Sequence, residues 1–245
     1  MSHDRRTLLG LAAALGAVAI APGLHLVEVA RAQAPPGRLS SGANPKVRWG
    51  LLIDTTKCAS GCTACVDACR SVTGGPVPQR TSDVQWIRKV EIKEIKTGRS
   101  ASLPVMCQHC AEPPCVDVCP TGASFKRADG IVLVDRHTCI GCRYCMMACP
   151  YKARSFVHEP TTGQKPEVPR GKGCVESCNL CVHRIDRGDG STACAQACAA
   201  AGHGAIVFGD LNDPASEISR RLRELPTRQL RADLRVDPGV RYHGV

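Results

Sequence analysis

Four cysteines fall within eleven residues in the segment CIGCRYCMMACP, at 139–150. They are spaced C-x2-C-x2-C-x3-C, and a proline follows the last of them. Cysteines two or three residues apart make poor disulfide staples, because a bridge between near neighbours constrains very little chain. The segment therefore predicts a compact loop that binds metal, and it limits what the rest of the chain can fold into.

The chain repeats this arrangement three more times, so that sixteen of its 17 cysteines fall into four groups. In chain order, group one is Cys58, Cys62, Cys65 and Cys69; group two is Cys107, Cys110, Cys115 and Cys119; group three is Cys139, Cys142, Cys145 and Cys149; and group four is Cys178, Cys181, Cys194 and Cys198. The remaining cysteine, Cys174, belongs to none of the four groups. Since aromatic residues make up only 3% of the chain, we expect metal centres to stabilise the fold alongside hydrophobic burial.

Three kinds of site compete for these cysteines. Disulfides occur in exported proteins, but an odd number of closely spaced cysteines suits them badly. A zinc ribbon uses separated C-x2-C pairs, and three successive ligands at this spacing crowd a single tetrahedral ion. The spacing C-x2-C-x2-C-x3-C-P is that of bacterial ferredoxins, in which three cysteines bind one cubane and the fourth binds another. The sequence therefore predicts four [4Fe–4S] clusters in two pairs, with no catalytic residue.

The net charge of +10 at pH 7 suggests nucleic-acid binding at first. However, sixteen thiolates around four cluster cores of charge near +2 would contribute roughly −8. The loaded protein would then be almost neutral. We therefore interpret the lysines and arginines as counter-charge for anionic clusters, and predict no nucleic-acid partner.

Residues 1–34 predict a signal for export. An arginine pair at 5–6 precedes a short Ala/Gly-rich apolar run at 8–20, and small residues follow at 30–34. The paired arginines favour the twin-arginine route, by which a protein crosses already folded and could carry its clusters. At about 13 residues the run is short for a membrane span, and an uncleaved anchor is the alternative. We expect the mature protein in the periplasm.

Local patterns also predict secondary structure. Strands are expected at 47–54 and 84–95, and a hairpin ending at 130–135 should turn at Asp129-Gly130. Short helices are expected to carry the last cysteine of each group, at Val66–Cys69, Val116–Cys119, Met146–Cys149 and Ala195–Cys198. The Pro/Gly-rich segment 158–173 predicts a loop. A capped helix should begin near Pro214, after Asp213.

From residue 46 onward the chain resembles the four-cluster ferredoxin-like electron-transfer subunits of bacterial membrane redox complexes. The resemblance rests on the order of the four groups and on three segments: CQHCAEPPCVDVCPTGASFKRADGIV, CIGCRYCMMACPYKARSF and FGDLNDPASEIS. Within that family the segment PEVPRGKGCVESCNLCVHRIDRG and the export signal are most similar to the exported iron–sulfur subunit of the sulfite-reductase-associated Dsr complexes. NrfC-like subunits of nitrite reduction are the close alternative.

The resemblance implies an α+β fold of two ferredoxin-like units, each with two [4Fe–4S] clusters. Residues 46–106 and 174–210 would form an outer unit, 107–157 an inner unit, and 211–245 a C-terminal extension. It also implies nested ligand sets. These are Cys58, Cys62, Cys65 with Cys198; Cys178, Cys181, Cys194 with Cys69; Cys107, Cys110, Cys115 with Cys149; and Cys139, Cys142, Cys145 with Cys119.

The implied function is electron transfer without a substrate site of its own. The implied partners are an integral membrane, quinone-interacting (NrfD-like) subunit, a c-type haem subunit and further subunits of a membrane redox complex. Alternatives are the electron-transfer subunit of a molybdopterin enzyme, such as tetrathionate reductase, and a soluble periplasmic ferredoxin. A zinc- or disulfide-scaffolded structural protein is a third.

Some residues depart from the family pattern or invite a second role. Group one has C-x3-C in place of C-x2-C, so Gly61 or a neighbour should bulge, and no proline follows Cys69 or Cys198. Cys174 is interpreted as a spare thiol, with an alternative ligand as the other interpretation, and His109 as a residue that supports the site rather than a ligand. Five cations near the cysteines could tune cluster potential or guide a partner, although for any one of them a solvated surface position is the favoured interpretation: Lys57, Lys126, Arg127, Arg143 and Arg184.

Overall fold

The computed structural model describes residues 42–245 and two short strands before them, β1 (Val18–Ala21) and β2 (Leu24–Leu26). These two strands pair with each other in antiparallel fashion. The chain divides into two compact units, 1–33 and 34–245, and the second contains every cysteine. The predicted export signal at 1–34, apart from the backbone of β1 and β2, lies outside the described residues.

The second unit is built on a four-stranded sheet with the order β10–β3–β12–β11. Its strands are β3 (Trp49–Asp54), β10 (Ile206–Asp210), β11 (Thr227–Arg228) and β12 (Val240–His243). Strand β3 pairs antiparallel with β10 and parallel with β12. Because successive strand residues face opposite sides, Leu51 and Ile53 join the core that contains the cysteines. Leu52 packs on the other side against Ile218.

Three antiparallel hairpins complete the strand structure. They pair β4 (Ile87–Lys93) with β5 (Ser100–Met106), β6 (Ser124–Lys126) with β7 (Val132–Val134), and β8 (Arg154–Phe156) with β9 (Val175–Ser177). The predicted turn at Asp129-Gly130 is confirmed, since Gly130 has φ +85° and donates its N–H to the Arg127 carbonyl at 3.1 Å. The strands predicted at 47–54 and 84–95 are confirmed as β3 and β4.

Among residues 42–245, six short α-helices lie between and after the strands. They are α1 (Ala64–Thr73), α2 (Pro114–Asp117), α3 (Tyr144–Ala148), α4 (Val182–Arg187), α5 (Ala193–Ala200) and α6 (Glu217–Glu224), with 3₁₀ turns at Thr55–Lys57 and Ala232–Leu234. The helices predicted to carry Cys69 and Cys198 are confirmed. The prediction is wrong for Cys119 and Cys149, because α2 and α3 end before them. A proline follows each of these cysteines, and the residue before a proline avoids helical geometry.

The predicted helix near Pro214 forms, but it begins later than expected. Ser216 caps α6, accepting the Ser219 N–H at 3.2 Å, whereas Asp213 accepts the Ala215 N–H at 2.8 Å and shapes the preceding turn. Helix α6 then covers the sheet face opposite the cysteines, with Ile218 fully buried.

The described residues form a mixed α and β structure with small sheets, as expected for an α+β fold. The division of residues 46–210 into two ferredoxin-like units stays a prediction. Residues 211–245, set apart in the sequence as an extension, supply α6, β11 and β12. In the described part of the chain, no helix has the length and apolar character needed to cross a bilayer.

Candidate metal centres

Site I consists of Cys58, Cys62, Cys65 and Cys198. The first three come from the loop after β3 and the start of α1, and Cys198 comes from α5. Burial raises the pKa of Cys65 to about 11, and the nearby thiols of the other three cysteines add to this effect. The four side chains line one small cavity, together with Lys89 and His203.

Site IV consists of Cys178, Cys181, Cys194 and Cys69. Burial raises the pKa of Cys178 well above its usual value, and the other three thiols raise it further. Cys65 and Cys69 stand four residues apart on α1 and so share one helix face. Helix α1 thereby contributes one cysteine to site I and one to site IV.

Site II consists of Cys107, Cys110, Cys115 and Cys149. Burial raises the pKa of both Cys107 and Cys110 to about 12, and the thiols of Cys115 and Cys149 add to both shifts. Group two therefore lies next to the last cysteine of group three.

Site III consists of Cys139, Cys142, Cys145 and Cys119. Burial raises the pKa of Cys145, with Cys119 and Cys139 contributing. Cys142 precedes Cys145 by three residues and is the exposed member. Sites I to IV are named after the nested sets that the resemblance implies, and these sets stay a prediction as cluster ligands.

The chemistry of these donors fits an iron–sulfur cluster. Four crowded, buried sulfurs resist ionisation unless a positive core compensates them, and the iron of a cubane provides that compensation. Among residues 42–245, no three His, Cys, Asp or Glu side chains are close enough to hold one metal ion. A cubane makes a different geometric demand, because its four thiolates bind four different irons.

Polar hydrogens point at several of the sulfurs. Backbone N–H groups of Ser124, Leu180 and Ala205 donate to Cys119, Cys178 and Cys198 at 3.2–3.4 Å. Such bonds stabilise negative charge on sulfur.

The effect is visible at Cys119. Burial opposes its ionisation, yet the Ser124 amide and the Thr121 hydroxyl outweigh burial and lower the pKa of Cys119. These donors prepare the site for a thiolate.

Neighbouring sites follow one another in the order I–IV–II–III, which we call the row of sites. Helix α1 joins sites I and IV, Cys178 of site IV is electrostatically coupled to Cys107 of site II, and Cys115 of site II is coupled to Cys145 of site III. All cysteines of the two middle sites are buried. The partly or fully exposed cysteines belong to the two end sites: Cys58, Cys62, Cys119, Cys139 and Cys142.

Comparison with known proteins agrees with this geometry. Residues 99–211 match the family model described as a 4Fe-4S dicluster domain. The chain is 43% identical over 224 residues to the Hdr-like menaquinol oxidoreductase iron-sulfur subunit 1 of Archaeoglobus fulgidus, a match that spans 80% of this chain and 83% of that protein. The chain belongs to the 4Fe–4S dicluster family. It is an iron–sulfur electron-transfer subunit of the kind found in quinone oxidoreductase complexes, and it binds several [4Fe–4S] clusters.

Two further relatives place the family across different complexes. Protein NrfC of Escherichia coli K12 is 40% identical over 193 residues, covering 78% of each chain. A tetrathionate reductase subunit of Salmonella typhimurium LT2 is 37% identical over 203 residues, covering 82% of this chain and 74% of that one. The similarity spans most of each chain, so family membership does not by itself choose among the complexes.

A common backbone feature unites the four cysteine loops. The residue before the second cysteine of each group has positive φ: Gly61 (+75°), His109 (+45°), Gly141 (+71°) and Leu180 (+52°). Because all four groups share this turn, it does not locate the extra residue of the C-x3-C group, and the bulge at Gly61 or a neighbour stays a prediction. The turn directs the second cysteine back toward the first, which is what three ligands on one cubane require.

His109 supports this architecture through its ring. It is 2% exposed, and its Nδ1 accepts the Val132 N–H at 3.0 Å. Burial lowers the pKa of His109 to about 3, so the ring stays neutral. The contact fits the supporting role that the sequence predicts.

Cys174 lies beside site III rather than in group four. Its Sγ donates to the Arg136 carbonyl at 3.3 Å and lies 3.9 Å from the Cys139 carbonyl. The spacing of Cys174, Cys178 and Cys181 copies that of Cys58, Cys62 and Cys65 in group one, but the position of Cys174 in the fold does not follow this likeness. It is buried against the loop that leads into group three.

The structure adds two cations that sequence inspection missed. Lys89 on β4 donates to the carbonyls of Ala59 and Cys62 at site I, at 2.8 and 2.9 Å. Arg154 on β8 donates to the Cys115 sulfur at 3.0 Å. Neither lies within a cysteine group, although Arg154 follows the Cys-Pro pair of group three by a few residues, which is a usable signal.

The five cations singled out in the sequence mostly pair with protein groups. Arg127 binds Asp129 and Asp186, Arg184 binds Asp189, and Lys57 faces Asp54. Lys126 donates to the Ala111 carbonyl, and the Arg143 guanidinium lies 3.8 Å from the centre of the Phe156 ring. Their role in tuning potential stays a prediction.

Proposed function

We propose that the protein relays electrons through four [4Fe–4S] clusters in the periplasm and has no substrate site of its own. The sixteen cysteines of sites I to IV are the proposed ligands. The observation that carries the proposal is the row I–IV–II–III, which is buried in the middle and open at both ends. Electrons would enter at one end and leave at the other.

The clusters supply the one-electron redox chemistry in this scheme. The chain's own residues hold them, exclude water from the middle sites and direct N–H groups at the sulfurs. Exclusion of water keeps the charge on each cluster strongly coupled to nearby protein dipoles. The fold thus sets how easily each site accepts an electron.

Site III carries an exposed apolar surface that suits a partner subunit. Ile140, Tyr144 and Met147 are 68, 53 and 66% exposed, and they flank the exposed Cys142 along the chain. Apolar surface of this kind at an interaction site is buried on binding. The menaquinol oxidoreductase name of one relative supports a quinone-interacting, NrfD-like membrane subunit as the partner here.

The finer assignment is a Dsr-type complex of sulfur metabolism, with a c-type haem subunit as a further partner. Its support is the group-four segment and the export signal. The similarity to the tetrathionate reductase protein favours a second candidate, the electron-transfer subunit of a molybdopterin enzyme. Cell fractionation tests the location, and loaded protein confined to the cytoplasm would overturn it.

The first experiment is the iron and acid-labile sulfide content of anaerobically purified protein, with EPR of the reduced state. We expect about sixteen of each per chain and the coupled signals of four [4Fe–4S] centres. Zinc without labile sulfide would overturn the proposal, and about twelve irons would leave one site empty or altered.

The partner surface is tested by Met147→Glu. A buried carboxylate opposes docking, so we expect reduction by quinol in the reconstituted complex to fall at least tenfold with unchanged iron content. Ile95→Glu is the matched control, because Ile95 is 98% exposed and follows β4, the strand that contacts site I. Equal effects of the two substitutions would show that the site III surface is not the docking face.

A further inference from the structure

Arg154 is a buried cation that lies between sites II and III. It begins β8 and is 5% exposed. Its Nη2 donates to the Cys115 sulfur at 3.0 Å and to the Ser124 hydroxyl at 2.8 Å. The same guanidinium acts on Cys107 of site II and on Cys145 of site III.

Other buried arginines of the described chain are neutralised by carboxylates. Arg127 contacts Asp129 at 2.9 Å, and Arg170 contacts Glu176 at 3.0 Å. Arg154 instead has cysteine sulfurs around it, and its Nε and Nη1 are buried without a hydrogen-bond partner among residues 42–245. A buried charge is costly unless an opposite charge compensates it. The compensating charge that the surroundings offer is that of the clusters.

Groups two and three share a local pattern, and this shared pattern explains how the Arg154 guanidinium reaches sites II and III. Ser124 and Arg154 each follow the last cysteine of a group by five residues and each begin a strand, β6 or β8. The Ser124 backbone N–H donates to Cys119 of site III at 3.3 Å, while its hydroxyl holds Arg154. Equivalent positions after groups two and three therefore meet between sites II and III.

We propose that Arg154 is a fixed positive charge shared by sites II and III, which raises the reduction potential of both. Reduction adds one negative charge to a cluster, and a cation in a dry interior stabilises that charge. This proposal rests on the proposed clusters at sites II and III.

The shared charge has a directional consequence. When one electron moves from site IV to site II, site IV is oxidised, site II is reduced, and Arg154 favours the move. When the electron passes on from site II to site III, Arg154 lies near both the donor and the acceptor. Its contribution to the driving force of this transfer therefore nearly cancels. Arg154 would thus make sites II and III easier to reduce relative to sites I and IV.

The test is a reductive titration of the full-length, cluster-loaded protein followed by EPR. Arg154→Met removes the charge at similar volume, Arg154→Lys keeps it, and Lys152→Met removes an exposed cation two residues away as a control. We expect Arg154→Met to weaken reduction of two of the four centres at least tenfold, which is 59 mV for a one-electron couple. The Lys variant should keep most of the wild-type values, and the control should shift neither centre as far.

Iron and sulfide counts precede each titration, and the wild-type count tests the proposed function separately. Unchanged potentials in a fully loaded Arg154→Met protein, or one equal shift of all four centres, would overturn the role of Arg154. If the Met variant loses iron, the Lys variant decides. A loaded Lys variant with near wild-type potentials supports the proposal, and iron loss there too would assign Arg154 a purely structural role.

Discussion

The middle and the ends of the row of sites differ in how they meet solvent. Sites II and IV have all their cysteines buried, whereas sites I and III each keep two or more cysteines partly or fully exposed. Site II is also tied to the main sheet, since Gln108 next to Cys107 donates to the Tyr242 hydroxyl of β12 at 3.2 Å. The middle sites are therefore part of the core, while the end sites are less protected from solvent and more accessible to partners.

The largest effect that would test this contrast is removal of one cysteine from each kind of site. Cys107→Ser places a poor ligand at the buried site II, and losing a structural metal centre ranks among the most destabilising changes. We expect loss of more than one cluster and a free-energy cost above about 4 kcal/mol. Cys142→Ser should leave three or four centres. Iron content and thermal loss of absorption near 400 nm measure both.

The comparison would break if Cys107→Ser lost only one cluster's worth of iron and kept wild-type thermal stability. Site II would then be an inserted cofactor site rather than a part of the core. The exposed Cys142 provides the matched control, because both substitutions remove a single sulfur from one site.

A second, smaller effect separates the two end sites from each other. Gly61 and Gly141 hold the same left-handed position, but a Cβ on Gly61 meets nothing within 4 Å. A Cβ on Gly141 would lie 2.2 Å from the Gly173 carbonyl oxygen and 3.1 Å from the Phe156 ring. We expect Gly61→Ala to cost about 1–2 kcal/mol for the backbone alone, and Gly141→Ala to cost more.

The rate of iron release on heating ranks the two alanine variants. Equal rates would mean that the loop of site III moves away from Gly173 without penalty. In that case the two ends of the row would be held equally loosely, and backbone conformation alone would explain both.

The smallest expected effect concerns a cation at one end. Lys89 donates to carbonyls rather than to a sulfur, and its amine is partly exposed. Lys89→Met should therefore lower the reduction potential of site I by less than the shift expected for Arg154→Met, which corresponds to a tenfold change in equilibrium constant. The reduction potential of site IV should not change. Lys93→Met, exposed on the same strand, is the control. A shift in the control as large as in the Lys89 variant would assign the effect to net charge.

The cysteine groups and their loops were accessible from sequence because three of the four ligands of each site lie close together in the chain. The hairpin at Asp129-Gly130 and strand β3 were equally local. The helices predicted to carry Cys119 and Cys149 were wrong, since the prolines at 120 and 150 outweigh the helical pattern before them. The sequence pattern thus predicted the helices correctly at Cys69 and Cys198, where no proline follows the cysteine.

The rest depends on contacts between distant parts of the chain. Arg154 lies 39 residues from Cys115, and Lys89 lies 27 residues from Cys62. Strand β12 pairs with β3 across nearly the whole chain, with Val240 opposite Leu51. Cys174 precedes Cys178 of group four by four residues in the chain, whereas folding places it beside Cys139. Spacing alone does not determine such neighbours.

The nested arrangement of the sites also sets an order of biogenesis. All eight cysteines of sites II and III lie between positions 107 and 149, so that pair can close while the remaining chain is still being synthesised. Site I waits for Cys198, and the central strand β3 waits for Val240, which follows still later in the chain. Closing the longer loops costs more entropy and takes longer. A chain released early would therefore hold two centres at most and a sheet with an open edge.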